Sequence, residues 1–310
     1  MTIRDDWLSH YYGKTKSQAL TSLNAWDRFV NNILPAINEE SLLLLIKEGT
    51  KEHRYFTLDL MVQQWTKWEM SPATIRNYFT FIRSYLSRND INTDLQDIKY
   101  HVKFPKRIKE SKNAVTKELI SKILTVCDVR YQALILSLAS SGMRVGEILE
   151  ARIGWLDFSF LESDGLVMIK IPALTTKGKS DRITFITNEA YESLKPFLKS
   201  KLSTTDHIFD ISYGAGAEYM KWVRTKIGFD DRYSSGVHKL TIHSFRSFTR
   251  TVLSDHTTME FAYFLLGQEG YLPEYYRKSP SEAAKLYKQA VPYLTIQTPI
   301  TSSRSIHQSI

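Results

Sequence analysis

Residues 133–158 read ALILSLASSGMRVGEILEARIGWLDF, and this stretch decides how the second half of the chain is organised. An apolar helical pattern ends at Gly142, the residue type that most often closes a helix, and a second helix is predicted to begin at Arg144. The first N–H groups of a helix have no partner within it, and the helix dipole favours anions there. Arg144 is therefore a candidate phosphate-binding residue, and the alternative is a surface arginine that pairs with Glu147.

Two further segments carry candidate functional side chains. His243 and Arg246 are three residues apart, so on a helix both would lie on one face within reach of the same oxyanion. The alternative is a histidine that packs in the core beside Phe245. Lys177 and Lys179 occupy a polar turn between two predicted strands, where they are either functional groups or ordinary solvated lysines.

A cluster of aromatic and basic residues follows the tripeptide Leu265-Leu266-Gly267. Its members are Tyr271, Tyr275, Tyr276, Arg277 and Lys278. Aromatic side chains between basic ones suit contact with DNA, and they suit helix packing equally well.

The hydrophobic pattern predicts a mainly α fold with one small antiparallel β-sheet. In the first hundred residues an amphipathic stripe begins at Leu20, and Ser71-Pro72 marks a capped helix start, so this half looks all-helical. Strand character occurs only at 166–171 and 182–186, where apolar residues alternate, and this pattern indicates a hairpin. The helical pattern resumes at Asn188.

A basic stretch separates the two patterned halves. Residues 99–112 read KYHVKFPKRIKESK, a composition that disfavours a packed helix. We therefore predict an interdomain linker here, between a helical domain at 1–98 and a second domain at 113–296, with a tail at 297–310. The linker is either a solvated spacer or a strap along DNA phosphates. The candidate phosphate contacts are Lys103, Lys106, Arg107 and Lys109.

The composition limits the class of protein. The chain has 310 residues, one cysteine (Cys127) and 41 Lys and Arg against 33 Asp and Glu, a formal net charge of +8. A single cysteine excludes an internal disulfide and favours a reducing compartment. No apolar run approaches the ~18 residues of a membrane-spanning helix, so we expect a cytoplasmic protein with no membrane partner. The modest positive excess suits a polyanionic partner and a solubility surface equally.

The order of these features resembles that of the tyrosine recombinases. Residues 133–158 resemble the first conserved box of that family, with its arginine at Arg144 and its acidic residue at Glu147. A hairpin lysine, HxxR, LLG and a tyrosine follow in the family's order. The ending GYLPEYYRKSPSEAAKLYKQAVPYLTI, at 270–296, looks most like integrases of archaeal type. The resemblance implies a two-domain architecture, a helical core-binding domain followed by an α/β catalytic domain.

The resemblance also implies a role for each motif residue. Arg144 and Arg246 would bind the non-bridging oxygens of a scissile phosphate and stabilise the charge of the transition state. His243 would assist proton movement at the same centre. Lys177 matches the family's hairpin lysine, which would protonate the leaving 5′ oxygen, with Lys179 as the alternative.

The implied nucleophile is a tyrosine that leaves a 3′-phosphotyrosyl bond. The family's spacing from LLG favours Tyr276, with Tyr275 as the runner-up. Gln268 departs from the family, which has histidine or sometimes tryptophan after LLG. An amide still donates a hydrogen bond to a phosphate oxygen but cannot carry a proton charge, so we expect slower chemistry.

The function implied by the resemblance is that of a site-specific DNA recombinase or integrase of a mobile element, acting as a tetramer on double-stranded DNA. One phosphodiester is exchanged for another through a covalent intermediate, so no ATP, metal ion or other cofactor is expected. Accessory DNA-bending proteins and a nucleoid-associated location are further expectations. The alternative is a DNA-binding protein of the same fold that has lost catalysis. A relaxing topoisomerase uses the same residues but fits the small helical first half less well.

Overall fold

The computed structural model describes residues 2–33, 37–107, 110, 115–268 and 277–296. The chain divides into two compact units, one over residues 1–110 and the other over residues 111–310. Each unit has its own hydrophobic core, as expected of a domain. Within the described ranges, no helix is long and apolar enough to cross a membrane.

The first unit is helical in all of its described elements. Its helices are α1 (Ile3–Ser9), α2 (Gly13–Ile33), α3 (Glu39–Glu48), α4 (Lys51–Lys67), α5 (Pro72–Arg88) and α6 (Leu95–His101). The sequence also indicates helices at 42–46 and 58–68, corresponding to α3 and α4, besides the stripe of α2 and the start of α5. Helices α1 and α6 have seven residues each and are too short for a periodic signal. The predicted start of α5 is confirmed, since the Ser71 hydroxyl accepts a hydrogen bond from the Thr74 N–H just before Pro72.

Buried aromatic side chains hold these helices together. Trp26 and Phe29 of α2 and Trp65 of α4 are completely buried. The stripe on α2 differs from the prediction at one end, because Leu20 is 49% exposed and Ala19 is buried in its place. The larger aromatic side chains therefore decide which face of α2 turns inward.

The first unit also contains a polar network beside its core. Arg4 donates hydrogen bonds to Asp27 at 3.1 Å and to Glu39 Oε1 at 2.6 Å. The same Glu39 oxygen accepts from the Trp26 indole at 3.0 Å and from the Tyr85 hydroxyl at 3.1 Å. The hydrogen bond to Asp27 raises the pKa of Arg4 in spite of its partial burial. We call these five residues the Arg4 network.

The first unit extends further along the chain than the sequence predicts. Helix α6 continues to His101, and Val102 and Phe104 pack against the core of this unit. Arg76 donates to the Pro105 carbonyl at 3.1 Å, and its guanidinium lies 4.8 Å from the centre of the Phe104 ring. The first part of the predicted linker is thus packed structure, because apolar side chains interrupt its basic residues.

The second unit is mainly helical. Its helices are α7 (Lys117–Leu124), α8 (Val129–Ser141), α9 (Val145–Leu149), α10 (Leu161–Asp164), α11 (Asn188–Leu198), α12 (Tyr213–Ile227), α13 (Ser244–His256), α14 (Met259–Leu266) and α15 (Pro280–Leu294). Short 3₁₀ turns lie at Ile153–Trp155 and Ala173–Thr175.

Three antiparallel strands form the one sheet of the described residues, in the order β1 (Leu156–Asp157), β2 (Leu166–Ile171) and β3 (Arg182–Thr187). The predicted hairpin is confirmed, since Leu166 pairs with Thr187 and Ile171 pairs with Arg182. The two-residue strand β1 gives no signal in the sequence. The predicted fold class, mainly α with a small antiparallel sheet, is confirmed.

Helix α8 lies in the centre of the second core. Every residue from Ala133 to Ser141 is buried, and the helix packs against α11, α13 and β3. A helix that is covered on all sides presents its last carbonyl groups to protein rather than to water, and buried carbonyl groups need partners. The hydrogen-bond donors to the carbonyl groups at the end of α8 form part of the candidate site.

Candidate active site

The candidate site is built around the carboxyl end of α8. The last carbonyl groups of a helix have no partner within it, and here side chains from distant parts of the chain supply one. These bonds run from Thr249 Oγ1 to Ala139 O at 2.8 Å, Tyr287 Oη to Ser140 O at 2.9 Å, Thr184 Oγ1 to Ser141 O at 2.7 Å and Arg246 Nη1 to Gly142 O at 2.6 Å. Three elements, β3, α13 and α15, therefore converge on one helix end.

Gly142 ends α8 in the left-handed conformation, with φ of 61°. A Cβ atom at this position would lie 2.4 Å from Leu266 Cδ2 and 3.1 Å from Thr249 Cγ2. Glycine is thus required both by the backbone conformation and by the close approach of α14. The helix end predicted from this glycine is confirmed.

The carboxyl end of α14 receives three arginines. Arg246 Nη2 donates to Leu266 O at 2.6 Å, Arg144 Nη2 donates to Gly267 O at 3.4 Å, and Arg182 Nη1 donates to Leu265 O. Positive charge is favourable at this end of a helix dipole. The carbonyl groups of the LLG motif therefore gather guanidinium groups from the starts of α9 and β3 and from α13.

One buried carboxylate joins two of these arginines. Glu147 is 2% exposed, and its Oε1 accepts from Arg144 Nη1 at 2.8 Å. Its Oε2 accepts from Arg182 Nη2 at 2.5 Å and from the backbone N–H of Arg144 at 2.8 Å. Burial alone would raise the pKa of this carboxyl, but the charge of Arg182 and the hydrogen bonds from Arg144 outweigh it and lower the pKa.

The ion pair between Arg144 and Glu147 is one of the two interpretations open from the sequence. This ion pair is present, but it engages only part of the Arg144 guanidinium. The Arg144 side chain is 31% exposed, and two of the five N–H donors of its guanidinium are engaged by residues that the structure describes. Arg144 therefore pairs with Glu147 and keeps donors for a ligand.

We call Arg144, Arg182, Arg246 and Glu147 the arginine cluster. Three guanidinium groups against one carboxylate leave two excess positive charges. Burial, with the nearby charges of Arg144 and Arg182, lowers the pKa of Arg246 to about 10. Burial also lowers the pKa of Arg182, although Glu147 opposes the shift. A partly buried cluster with uncompensated positive charge is suited to an anionic ligand.

A cleft of about 770 Å³ opens beside the cluster. Arg144 and Arg182 line it together with Gly267, Gln268 and Lys278, and the loop between β2 and β3 contributes further lining residues. Within the described ranges, no group of three or more His, Cys, Asp or Glu side chains is arranged to hold a metal ion. The polar chemistry that this cleft offers is therefore mainly cationic.

The hairpin lysines are not among the residues that line this cleft, although their neighbours Thr176, Gly178 and Ser180 are. Lys177 and Lys179 are exposed in the β2–β3 loop, whose base is fixed by Asp181 accepting the N–H of Ala173 at 2.5 Å. Lys179 has φ of 54° and donates through Nζ to the Leu174 carbonyl at 3.3 Å. Lys177 makes no hydrogen bond or ion pair with the described part of the chain.

His243 and Arg246 differ in exposure. His243 is exposed and lies one position before α13, whereas Arg246 is 3% exposed and donates both terminal nitrogens to the Gly142 and Leu266 carbonyls. The spacing predicts two side chains that reach one oxyanion. That stays a prediction. The two helix ends enclose Arg246, whereas the Arg144 side chain is 31% exposed.

The remaining predicted catalytic residues lie at or beyond the edge of the described chain. Gln268 lines the cleft, and its backbone N–H donates to the Tyr263 carbonyl at 3.0 Å. The predicted nucleophile Tyr276 and its runner-up Tyr275 lie outside the described residues. Tyr287, which is not among the predicted site residues, is completely buried and supports α8 through its hydroxyl.

The predicted DNA-binding stretch lies at the end of the first unit. Lys103, Lys106 and Arg107 are exposed, and the backbone N–H of Lys103 donates to Asp59 at 2.7 Å. Lys109 lies outside the described residues. The three described side chains thus remain accessible while the backbone is anchored.

Arg182 is the member of the site that the sequence reasoning misses. Its partners Glu147 and Leu265 are 35 and 83 residues away, so no local pattern connects them. The one available signal is an arginine at the first position of a strand that is otherwise apolar or threonine, next to the polar turn.

Comparison with solved structures gives a relationship at the level of the fold. No protein-family model matches the chain, and no curated protein does. A lambda integrase tetramer bound to a Holliday junction matches with a TM-score of 0.61 at 14% identity, over 89% of this chain and 78% of that one. The Tn1549 transposon integrase in complex with circular intermediate DNA gives 0.54 at 14%, over 92% and 98%. The XerH site-specific recombinase bound to its difH substrate gives 0.55 at 17%, over 87% and 74%.

These structures identify the class of fold. The chain has the two-domain fold of the tyrosine recombinases and integrases, and the resemblance expected from the sequence is confirmed at that level. The finer assignment to integrases of archaeal type stays a prediction.

Proposed function

We propose that this protein is a site-specific DNA recombinase or integrase that breaks and rejoins DNA strands through a 3′-phosphotyrosyl intermediate. The observation that carries the proposal is the arginine cluster, whose excess positive charge lies beside a cleft lined by Arg144. A phosphodiester gains negative charge at its oxygens in the transition state of strand cleavage, and preorganised cations stabilise that charge. The recombinase fold supports the same chemistry.

Arg144 and Arg246 have different parts in this proposal. Arg144 binds a non-bridging phosphate oxygen with the N–H groups that remain free of Glu147. Arg246 aligns the ends of α8 and α14 and adds its charge. His243 assists proton movement from the start of α13, and Gln268 donates a hydrogen bond to a phosphate oxygen from the cleft wall.

Lys177 is the proposed general acid for the leaving 5′ oxygen. Its side chain is exposed in the β2–β3 loop, between Thr176 and Gly178, which line the cleft. Lys179 is the alternative, although its ammonium group is engaged with the Leu174 carbonyl.

Tyr276 is the proposed nucleophile, with Tyr275 as the runner-up. Tyr276 precedes Lys278, which lines the cleft, by only two residues in the sequence. A phenol has a pKa near ~10, so it needs cations or a base to attack at neutral pH, and the arginine cluster supplies the cations. The phenolic proton of Tyr276 passes to His243 as the bond from the tyrosine oxygen to phosphorus forms. The bond to the 5′ oxygen breaks, and that oxygen takes a proton from Lys177. Neither nucleotide hydrolysis nor a metal ion is needed for this balance.

Double-stranded DNA is the proposed partner, and a tetramer on DNA is the proposed active assembly. Lys103, Lys106 and Arg107, with Lys109, are the proposed phosphate contacts, each adding salt-dependent affinity by counterion release. An origin in a mobile element, accessory DNA-bending proteins and a nucleoid-associated cytoplasmic location belong to the same proposal.

Covalent trapping tests the proposal. Purified protein is mixed, without metal ion or nucleotide, with nicked duplex fragments from around its own gene, and the products are separated under denaturing conditions. We expect a DNA adduct on the peptide that contains Tyr276. Tyr276→Phe should abolish the adduct and leave DNA affinity unchanged, and the matched control Tyr275→Phe should retain the adduct.

The opposite pattern, an adduct in Tyr276→Phe and none in Tyr275→Phe, would make Tyr275 the nucleophile. Tight binding without any adduct, while a known recombinase traps well in parallel, would favour the second candidate function. That candidate is a DNA-binding protein of the same fold without catalysis, and the enclosure of Arg246 and the amide at Gln268 are the observations in its favour.

A further inference from the structure

Two arginines compete for the single carboxylate of the cluster. Glu147 Oε1 contacts Arg144 Nη1 at 2.8 Å, whereas Oε2 contacts Arg182 Nη2 at 2.5 Å. A carboxylate and a guanidinium left to themselves pair through two parallel hydrogen bonds, one to each oxygen. Arg182 occupies the second oxygen and therefore prevents this bidentate pairing between Glu147 and the guanidinium of Arg144.

Burial of Arg182 costs free energy, although its Nη1 donates to the Leu265 carbonyl at the end of α14. Its side chain is 7% exposed, and its Nε has no hydrogen-bond acceptor among the described residues. A buried ion pair is often no more stabilising than apolar side chains of similar size, and an unpaired buried N–H group adds a further cost. Gly267 nevertheless makes room for it, since a Cβ at that position would lie 2.6 Å from Arg182 Cδ.

We propose that Arg182 is a positioning residue, which holds one oxygen of Glu147 and so keeps the outer N–H groups of Arg144 turned to the cleft. This inference rests on the proposed function, because it concerns the phosphate-binding arginine of that reaction. Without Arg182, Glu147 Oε2 keeps only the backbone N–H of Arg144 as a donor. It can then also accept from the Arg144 guanidinium and draw it into the space that the missing side chain leaves. The N–H groups of Arg144 that would bind a phosphate are then bound to Glu147 instead.

The first measurement is the rate at which phenylglyoxal, an arginine-specific reagent, modifies Arg144, followed by peptide mass spectrometry. The exposed Arg107 is the internal reference. In Arg182→Met we expect modification of Arg144 to slow by roughly threefold or more, because a second charge-assisted hydrogen bond to Glu147 makes its guanidinium less accessible to the reagent. This measurement needs no DNA.

The second measurement is the rate constant of adduct formation at saturating nicked DNA. In Arg182→Met it should fall roughly 10- to 100-fold, the cost of misplacing a substrate-binding group, while DNA affinity is unchanged. Arg182→Lys keeps a cation at Oε2 and should retain most of both readouts. Thermal unfolding of each variant shows whether it is folded.

A double substitution separates positioning from support of the fold. When Glu147→Gln is added to Arg182→Met, no carboxylate remains to draw Arg144 inward, so phenylglyoxal modification of Arg144 should recover. If Arg182 only supported the fold, adding Glu147→Gln would lower the thermal stability further and would not restore the modification of Arg144.

Unchanged modification of Arg144 and unchanged adduct formation in Arg182→Met would overturn the inference. Slowed modification in a protein whose unsubstituted form makes no adduct would support the position of Arg182 and overturn the proposed function instead. Should Arg182→Met fail to fold, Arg182→Gln, which keeps a donor near Leu265, carries the same modification test.

Discussion

Both units of the chain place arginines against carboxylates, but the charges balance differently. In the Arg4 network one guanidinium faces Asp27 and Glu39, and Trp26 and Tyr85 donate to the same Glu39 oxygen as Arg4. In the arginine cluster three guanidinium groups share one carboxylate, and a cleft lies beside them. A network in which carboxylates outnumber the cation fixes local structure, whereas a network with excess cations has capacity for an anion.

The pKa values of the arginines shift in opposite directions in the two networks. The carboxylate partners raise the pKa of Arg4, which favours its charged form. Burial and like charges lower the pKa of Arg246 to about 10, so its charged form is held at a cost. Groups that a protein keeps charged against their surroundings are more often found at functional sites than in structural networks.

The largest expected effect is on the rate of DNA adduct formation, which should depend on the arginine cluster and not on the Arg4 network. Arg144→Ala should lower the rate of DNA adduct formation about 10²- to 10³-fold, because it removes the most exposed donor of the cluster, with DNA affinity nearly unchanged. Arg4→Met is the matched control, and it should leave that rate unchanged at saturating DNA. Adduct formation at the original rate in Arg144→Ala would place the chemistry elsewhere.

The second effect concerns the space around the cluster. Gly267→Ala should lower the free energy of unfolding by about 2–3 kcal/mol, because it combines a left-handed backbone with a clash against Arg182. Gly228 has φ of +66° but no atom within 4 Å of the place that a Cβ would take, so Gly228→Ala should cost only the backbone penalty, about 1 kcal/mol. Urea unfolding measures both, and equal losses would mean that Arg182 moves aside freely.

The third effect concerns the Arg4 network. Arg4→Met should lower the free energy of unfolding by about 1–2 kcal/mol, because Asp27 and Glu39 lose their shared donor while remaining partly exposed to water. Urea unfolding of the whole chain measures this loss. An unchanged midpoint would show that the two carboxylates are satisfied by solvent.

The smallest effect is a difference in pH dependence. The pKa of Glu147 in the folded chain is below its ordinary value of 4.5, so its charged form stabilises the fold above pH 4.5. That contribution is lost as the pH falls below 4.5 and through the lower folded pKa. Glu147→Gln should therefore flatten the fall of unfolding free energy with pH in this acidic range. Parallel curves for the two proteins below pH 4.5 would contradict the shift.

The sequence predicts those parts of the fold and site whose signals are local. Gly142 followed by a helix start at Arg144 predicts the junction of α8 and α9, and alternating apolar residues predict the hairpin. Arg144 and Gln268 then line one cleft, as candidate residues of one site should.

The rest of the site depends on contacts that no local pattern encodes. The HxxR spacing predicts a shared helix face, but the enclosure of Arg246 is set by carbonyl groups 104 and 20 residues away. Arg182 is found only when its distant partner Glu147 is in view, and Leu20 is misplaced because the aromatic side chains of α2 override the simple stripe.

The hydrogen bond from Tyr287 to Ser140 sets an order of events during synthesis. The two residues are separated by 147 positions, and a chain emerges from the ribosome with its N-terminal part first. Helix α8 is therefore synthesised long before α15. Until α15 is made, the Ser140 carbonyl at the end of α8 lacks its Tyr287 donor. A chain released before residue 287 carries all three cluster arginines but lacks the Tyr287 hydroxyl that supports the end of α8.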